Sequence, residues 1–217
     1  LEDERIWSAK EMLNATLPAN RKIYFKSGTA LAEFTKANLT DAKTSGWFQP
    51  CSAGVLGDLT QCATAGFSTD ATQDVIIDYI RGDDSYEDQA GNAKRILRDR
   101  EGILGDIVSS QPVYVRKAPF GYTDVGYAAF AESKALQERK GAVIVGANDG
   151  MLHAFNADTG AEMWAYVPTP VMPYLYRLAD TNYGENHRYY VDGALAVGDI
   201  CAQEACGEKT GAGWKTI

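Results

Sequence analysis

The sequence is poor in the groups on which most hydrolytic and redox chemistry rests. Of its 217 residues only two are histidine, His153 and His187, which leaves little choice of base. No Gly-x-Ser-x-Gly nucleophile elbow occurs, and neither does a P-loop or a dinucleotide-binding Gly-x-Gly-x-x-Gly turn. Cysteine is limited to four residues. None stands in Cys-x-x-Cys spacing and neither histidine lies near a cysteine pair, which argues against zinc. No apolar run approaches the length of a transmembrane helix, and no signal peptide precedes Leu1. A secreted parent would therefore have lost its leader and any upstream region from this chain. Positive charge is in deficit, with 21 Lys and Arg against 29 Asp and Glu, a net charge of −8. No basic cluster overrides that balance, which disfavours nucleic acid and anionic membrane as partners.

What is present reads as a folded, turn-rich β protein. Apolar residues make up 45% and charged residues 23% of the chain, with 21 Gly and 12 Tyr, an ordinary globular balance. The length allows one or two domains. The most informative stretch is 141–164, GAVIVGANDGMLHAFNADTGAEMW. Val143, Ile144 and Val145 form a strand that ends at Gly146. Asn148-Asp149-Gly150 supplies the positive backbone angles of a two-residue hairpin turn. Leu152, Ala154 and Phe155 lead to a second turn at Asp158-Thr159-Gly160, and a third strand, Met163 to Val167, carries Trp164. Three strands joined this tightly form an antiparallel meander. One meander cannot cover both of its faces, so it is expected to be one blade of a repeat architecture.

The cysteines pair most simply as neighbours, Cys51 with Cys62 and Cys201 with Cys206. Each pair closes a polar loop without a core of its own, and disulfides would imply an oxidising compartment. Four reduced, buried cysteines in a cytosolic protein are the alternative. Elsewhere, residues 3–13 read as a short helix with Ile6, Trp7, Met12 and Leu13 on one stripe. Lys22–Lys26 and Ala30–Phe34 read as a hairpin across Ser27-Gly28. A helix capped by Asp70 or Thr72 presents Val75, Ile76, Tyr79 and Ile80 and stops at Gly82. Residues 83–101 read as a solvated loop. Ile107–Val115 reads as a strand, Tyr127–Gln137 as a short helix, and Tyr189–Ile200 as a strand pair. Trp214 to Ile217 enters a strand that nothing in the chain follows.

The residues of the signature stretch resemble the PilC/PilY family of type IV pilus tip-associated adhesins and assembly factors. The resemblance runs through V-x-V-G-A-N-D-G-M-L-H-A-F-N-A-D-T-G-x-E-x-W-A-Y-V-P, residues Val143 to Pro168. Asp78 to Asp83, Leu104 to Val115, Tyr190 to Gly193 and Val197 to Asp199 follow the family pattern in the same order. The shorter core, D-G-x-L-x-A-x-x-A-x-T-G-x-x-x-W, is shared with quinoprotein-type propellers. The resemblance implies a mainly β fold, part of a quinoprotein-like β-propeller of antiparallel blades with short helical insertions. Residues 1–102 would be an N-terminal segment packing onto the propeller, and 103–217 the first blades of an incomplete ring. A complete small β domain is the alternative. The implied function is that of a non-enzymatic adhesin and pilus assembly factor at the cell surface, the outer membrane or in the periplasm. Implied partners are minor pilins, a host surface receptor or glycan, and the remainder of the chain's own propeller.

Other readings compete at particular residues. A periplasmic quinoprotein-like oxidoreductase would need vicinal cysteines, which are absent, and a calcium set at the propeller axis. A scaffold propeller of outer-membrane assembly is the third reading. The acidic residues Asp83, Asp84, Glu87 and Asp88 lack calcium-loop spacing. No cofactor is therefore assigned to this chain, and calcium would belong elsewhere in the full-length protein. Arg81-Gly82-Asp83 spells a tripeptide read by integrins, a candidate recognition site whose plainer reading is a helix terminus. Trp164 is expected between neighbouring sheets, near the Asp158-Thr159-Gly160 turn. His153 is expected to be a structural inter-blade histidine and His187 solvated.

Overall fold

The computed structural model describes residues 6–40, 46–51, 57–118, 120–202 and 209–217. Its dominant element is a six-stranded sheet in the order β2-β1-β6-β5-β4-β3. The strands are β1 (Ile23–Ser27), β2 (Ala30–Glu33), β3 (Val113–Val115), β4 (Ala142–Ala147), β5 (Met151–Asn156) and β6 (Glu162–Val167). β4, β5 and β6 form the expected antiparallel meander. β1 and β2 form the expected hairpin, turning at Gly28 with φ +59. The hairpin also joins the meander: β1 runs parallel to β6, with Ile23 opposite Ala165 and Phe25 opposite Val167. No local pattern foretells that pairing, because the two strands lie about 140 residues apart and each reads only as a strand.

One face of this sheet carries the core. Ile23, Phe25, Ala165, Val167 and Met151 pack against α3 (Gln73–Arg81), which follows the single turn α2 (Phe67–Asp70), and the 3₁₀ turns of Met172–Ala179. α3 is capped by the Thr72 hydroxyl and ends at Gly82 with φ +111, as its sequence indicates. Phe34 stands edge-on to both Phe25 and Phe48, at centroid distances of 6.2 and 5.5 Å. The opposite face is open. Tyr24, Leu152, Trp164 and Tyr166 are half-buried there and line a cavity of about 920 Å³ with Leu31 and Ile217.

Several local expectations are corrected. The helical stripe at the N-terminus shrinks to α1 (Ala9–Asn14), which buries Leu13, while Ile6 is exposed. Only Val113–Val115 of the 107–115 stretch is strand, and Ile107 and Val108 face solvent. Two turns of helix, α4 (Tyr127–Ala131) and α5 (Lys134–Gln137), replace the single helix there. No strand forms over 189–198. β7 (Asp199–Cys201) instead pairs antiparallel with β8 (Trp214–Thr216), so the last strand has its partner upstream. The 83–101 segment is not simply solvated. Glu87 is buried and accepts from Nε of Arg100 at 2.6 Å, and the Arg100 guanidinium lies 3.7 Å from the Tyr79 ring centroid.

Cys51 and Cys62 are disulfide-bonded, with Cα atoms 5.5 Å apart. Among the described residues no cysteine is free; Cys206, the expected partner of Cys201, lies outside them. Cys51 and Cys62 are only partly buried against the core. Replacing both with serine should therefore destabilise chiefly through loop entropy, by about 3 kcal/mol. Urea titration of the double variant checks this, and a loss below about 1 kcal/mol would show that the loop holds its shape without the bridge.

Candidate functional site

The signature turn sits over a buried cluster of four charged side chains. Ala147 and Met151 are the last paired residues of the β4–β5 hairpin, so the loop has three residues, 148–150, rather than two. Gly150 takes φ +91 and donates its N–H to the Ala147 carbonyl at 3.2 Å. Asn148 is 2% exposed. Its side chain donates to Asp106 Oδ2 at 2.8 Å and accepts from the Tyr190 N–H at 3.0 Å. The turn is thereby tied to two distant segments. Asp192 adds a tie beside it, accepting from the N–H groups of Ser109 and Ser110 at 2.7 and 3.0 Å. His187, expected to be solvated, pairs with Asp106 at 3.0 Å while remaining partly exposed.

Asp149 points inward. Its carboxylate accepts from the N–H groups of Gly105 and Met151 at 3.0 and 3.1 Å and meets His153 Nε2 at 3.0 Å. His153 is fully buried, and its Nδ1 lies 2.9 Å from Glu162 Oε1. Glu162 also accepts a two-pronged contact from Arg21, at 2.8 and 2.9 Å. Arg21 reaches on to the Arg81 carbonyl at 2.8 Å. Two carboxylates thus face two cations. Burial alone would lower the His153 pKa, but the Asp149 and Glu162 carboxylates outweigh it and raise it to about 9. Burial likewise pushes Glu162 up, yet its bonds to His153 and Arg21 hold it down at about 2. With a carboxylate on each ring nitrogen, His153 is an imidazolium that donates from both. Its role is structural, as the sequence indicates, but it works inside its own sheet.

The other singled-out residues fall as follows. At the second turn, Asn156 Oδ1 accepts from the N–H groups of Asp158 and Thr159 at 2.9 and 3.1 Å, and Gly160 takes φ +72. The indole resting on that turn belongs to Trp7, not Trp164. Trp7 donates Nε1 to the Ala157 carbonyl at 2.9 Å, and its ring occupies the place a Gly160 side chain would take, 2.7 Å from the Cβ position. Trp164 lies on the open face of the sheet. Arg81 is corrected as a recognition residue. It is 8% exposed, and its guanidinium donates to the carbonyls of Phe34, Pro18 and Arg21 at 2.8, 3.0 and 3.1 Å. Gly82 is buried under Ile103, and Asp83 accepts from the Ser85 N–H at 2.8 Å, so the tripeptide is a helix terminus. Arg21, Glu162 and Trp7 escaped sequence reasoning. Glu162 alone carried a signal, lying within the turn-to-tryptophan motif. Among the described residues no group of three His, Cys, Asp or Glu side chains is placed to hold a metal ion.

Residues 104–210 match the family model of the PilY1 beta-propeller domain. The chain is 43% identical over 214 residues to a type IV pilus biogenesis factor PilY1 homolog of Xylella fastidiosa strain Temecula1, covering 94% of this chain and 14% of that protein. The chain belongs to the PilY1 family. It is 35% identical over 212 residues to the type IV pilus biogenesis factor PilY1 of Pseudomonas aeruginosa strain PAK, covering 90% of this chain and 16% of that relative. The PilY1 of strain UCBPP-PA14 is 31% identical over 205 residues, with 89% and 16% covered. The chain therefore spans about one-seventh of the length of these PilY1 relatives. No solved structure matches. The PilY1 family match includes the turn, Asp106, Asp149, His153 and Glu162, and leaves Arg21, two residues before β1, outside the matched span. A pilus-related role and an envelope or cell-surface location agree with the relatives' names. No helix among the described residues is long and apolar enough to cross a membrane.

Proposed function

We propose that this chain is a structural part of a non-enzymatic adhesin and assembly factor at the type IV pilus tip. The observation that carries the reading is the chemistry of the signature motif. Its reactive groups, Asp149, His153 and Glu162, are locked to one another and to Arg21, with His153 and Arg21 buried, which suits a rigid scaffold. The scaffold would act by presenting loops to minor pilins and to a host surface receptor or glycan, from the periplasm to the outer surface. Residues 103–217 would supply the first propeller blades, with 1–102 packing onto them and β1 and β2 widening the first sheet. The remainder of the propeller would cover the open face around Tyr24, Leu152, Trp164 and Tyr166. A propeller needs four or more sheets, and the relatives have several times this chain's length to provide them.

The cellular test is deletion of the parent gene, which should reduce surface pili or host-cell attachment. The purified parent should show no dye-linked dehydrogenase activity with added quinone and calcium. Robust quinone reduction would sink the adhesin reading. The covered-face part of the proposal has its own test in Trp164→Ala. In this chain alone the half-buried indole should contribute about 1–2 kcal/mol, against the roughly 3–5 kcal/mol of an enclosed aromatic. Denaturant titration of chain and parent should show the larger loss in the parent; equal losses would mean that nothing covers the face.

A further inference from the structure

β3 ends the six-stranded sheet, and among the described residues no strand pairs with its far side. Pro112 precedes it and lacks an N–H, so the open edge begins at Val113. A groove of about 490 Å³ runs along that edge, lined by Val113, Tyr114, Val115, Arg116, Lys117 and Phe120, with Val197 closing it. Residues from both faces of a three-residue strand can line one groove only if it lies against the strand's side. Tyr114 is 58% exposed, and Arg116 and Lys117 are exposed beside it. Arg139 joins them from beyond α5. Its Nε donates to the Arg116 carbonyl and Nη1 to Thr216 at 3.0 Å, and its Nη2 is buried without a hydrogen-bond partner. Two exposed cations, Arg116 and Lys117, thus stand at one end of an edge strand in a protein of net charge −8.

We propose that the free edge of β3 receives an extended, acid-bearing segment of a partner polypeptide, its backbone paired along residues 113–115 and its carboxylates meeting Arg116 and Lys117. The backbone of β3 supplies affinity, the apolar walls of Val113, Val115, Phe120 and Val197 seat alternate side chains, and the cations select sign. A second copy pairing antiparallel through the same edge would set the Arg116-Lys117 end of one strand beside the Gln111-Pro112 end of the other, which offers these cations no carboxylate. The inference rests on the edge geometry and charge alone, so it stands or falls apart from the pilus reading.

The test uses the 217-residue chain and a labelled synthetic hexapeptide of alternating valine and threonine ending in two glutamates. Fluorescence anisotropy should show binding that weakens as salt rises. Replacing the two glutamates with glutamines should weaken it by about tenfold or more, and R116E/K117E should do the same. N-methylation of the peptide backbone should abolish binding. Hydrogen exchange should show new protection confined to 113–117. Equal binding of the acidic and glutamine peptides, no response to charge reversal, no binding at millimolar peptide, or self-association through β3 in place of peptide binding would each overturn the proposal. Should R116E/K117E fail to melt like the wild type, K117E alone, at an exposed position, carries the charge test.

Discussion

Glu162→Ala should cost about 3–5 kcal/mol, the loss expected when one partner is removed from a buried ion pair. The Glu162 side chain is 2% exposed and that of Arg21 is fully buried. Without the carboxylate, the Arg21 guanidinium and the His153 imidazolium would be left in the interior with Asp149 as the sole nearby anion. The wild type should show a pH signature of the same cluster. His153 is raised from 6.5 to about 9, so its contribution is complete below pH 6.5 and is lost as pH rises through about 9. Glu162 is lowered from 4.5 to about 2, so its contribution is complete above pH 4.5 and is lost as pH falls through about 2. Thermal melting should therefore plateau between those limits. In Glu162→Ala, the alkaline loss should begin at lower pH, because one of the two carboxylates favouring the imidazolium is gone. Melting that declines at the same alkaline pH in variant and wild type would place the charge of His153 elsewhere.

Gly150→Val should be nearly as damaging, for steric reasons. At φ +91 a β-branched residue is strained, which costs about 1–3 kcal/mol. A Cβ there would also lie 2.2 Å from Leu175 Cδ2, in the packed layer beneath the sheet. Overpacking of that kind adds about 1–3 kcal/mol. The sum, about 4 kcal/mol, should appear as poor yield and a lowered denaturation midpoint. Gly150→Ala should lose less, since it keeps the strain but presents less bulk to Leu175. A valine variant with wild-type yield and melting would mean that the turn can adopt another conformation.

The parts of the fold legible in the sequence are those in which each decisive interaction lies within a few residues. Asn148 to Gly150 and Asn156 to Gly160 declare their turns through side chains and glycines that act on their own backbone. Thr72 and Gly82 bound α3 for the same reason. The misreadings share an opposite cause. Arg81 reads as a surface cation until Pro18, Arg21 and Phe34 bring their carbonyls to it. Trp7 takes the place at the second turn expected of Trp164, because a tryptophan's apolar character does not say which turn it will meet. Glu87 and Arg100 look like solvated charges until Tyr79 and Leu97 close around them. At the candidate site the sequence marks His153 as structural, but its clamp needs Arg21, from the turn before β1, which only the tertiary fold brings near. Val113 to Val115 reads as the end of a longer strand, and its role as a sheet edge becomes visible only with the strand order.

The parallel contact between β1 and β6 also sets an order of events. Ile23 cannot find Ala165, nor Arg21 find Glu162, until the meander exists. Such widely separated partners make folding slow, because a long stretch of chain must be closed before the contact returns any stability. In a chain that emerges N-terminus first, the β1–β2 hairpin would wait with an apolar edge unpaired while more than a hundred residues followed. That interval is when a sticky strand edge is most exposed to aggregation. A holding factor would matter most then, and the last residues of β6 would release the hairpin from its need for one.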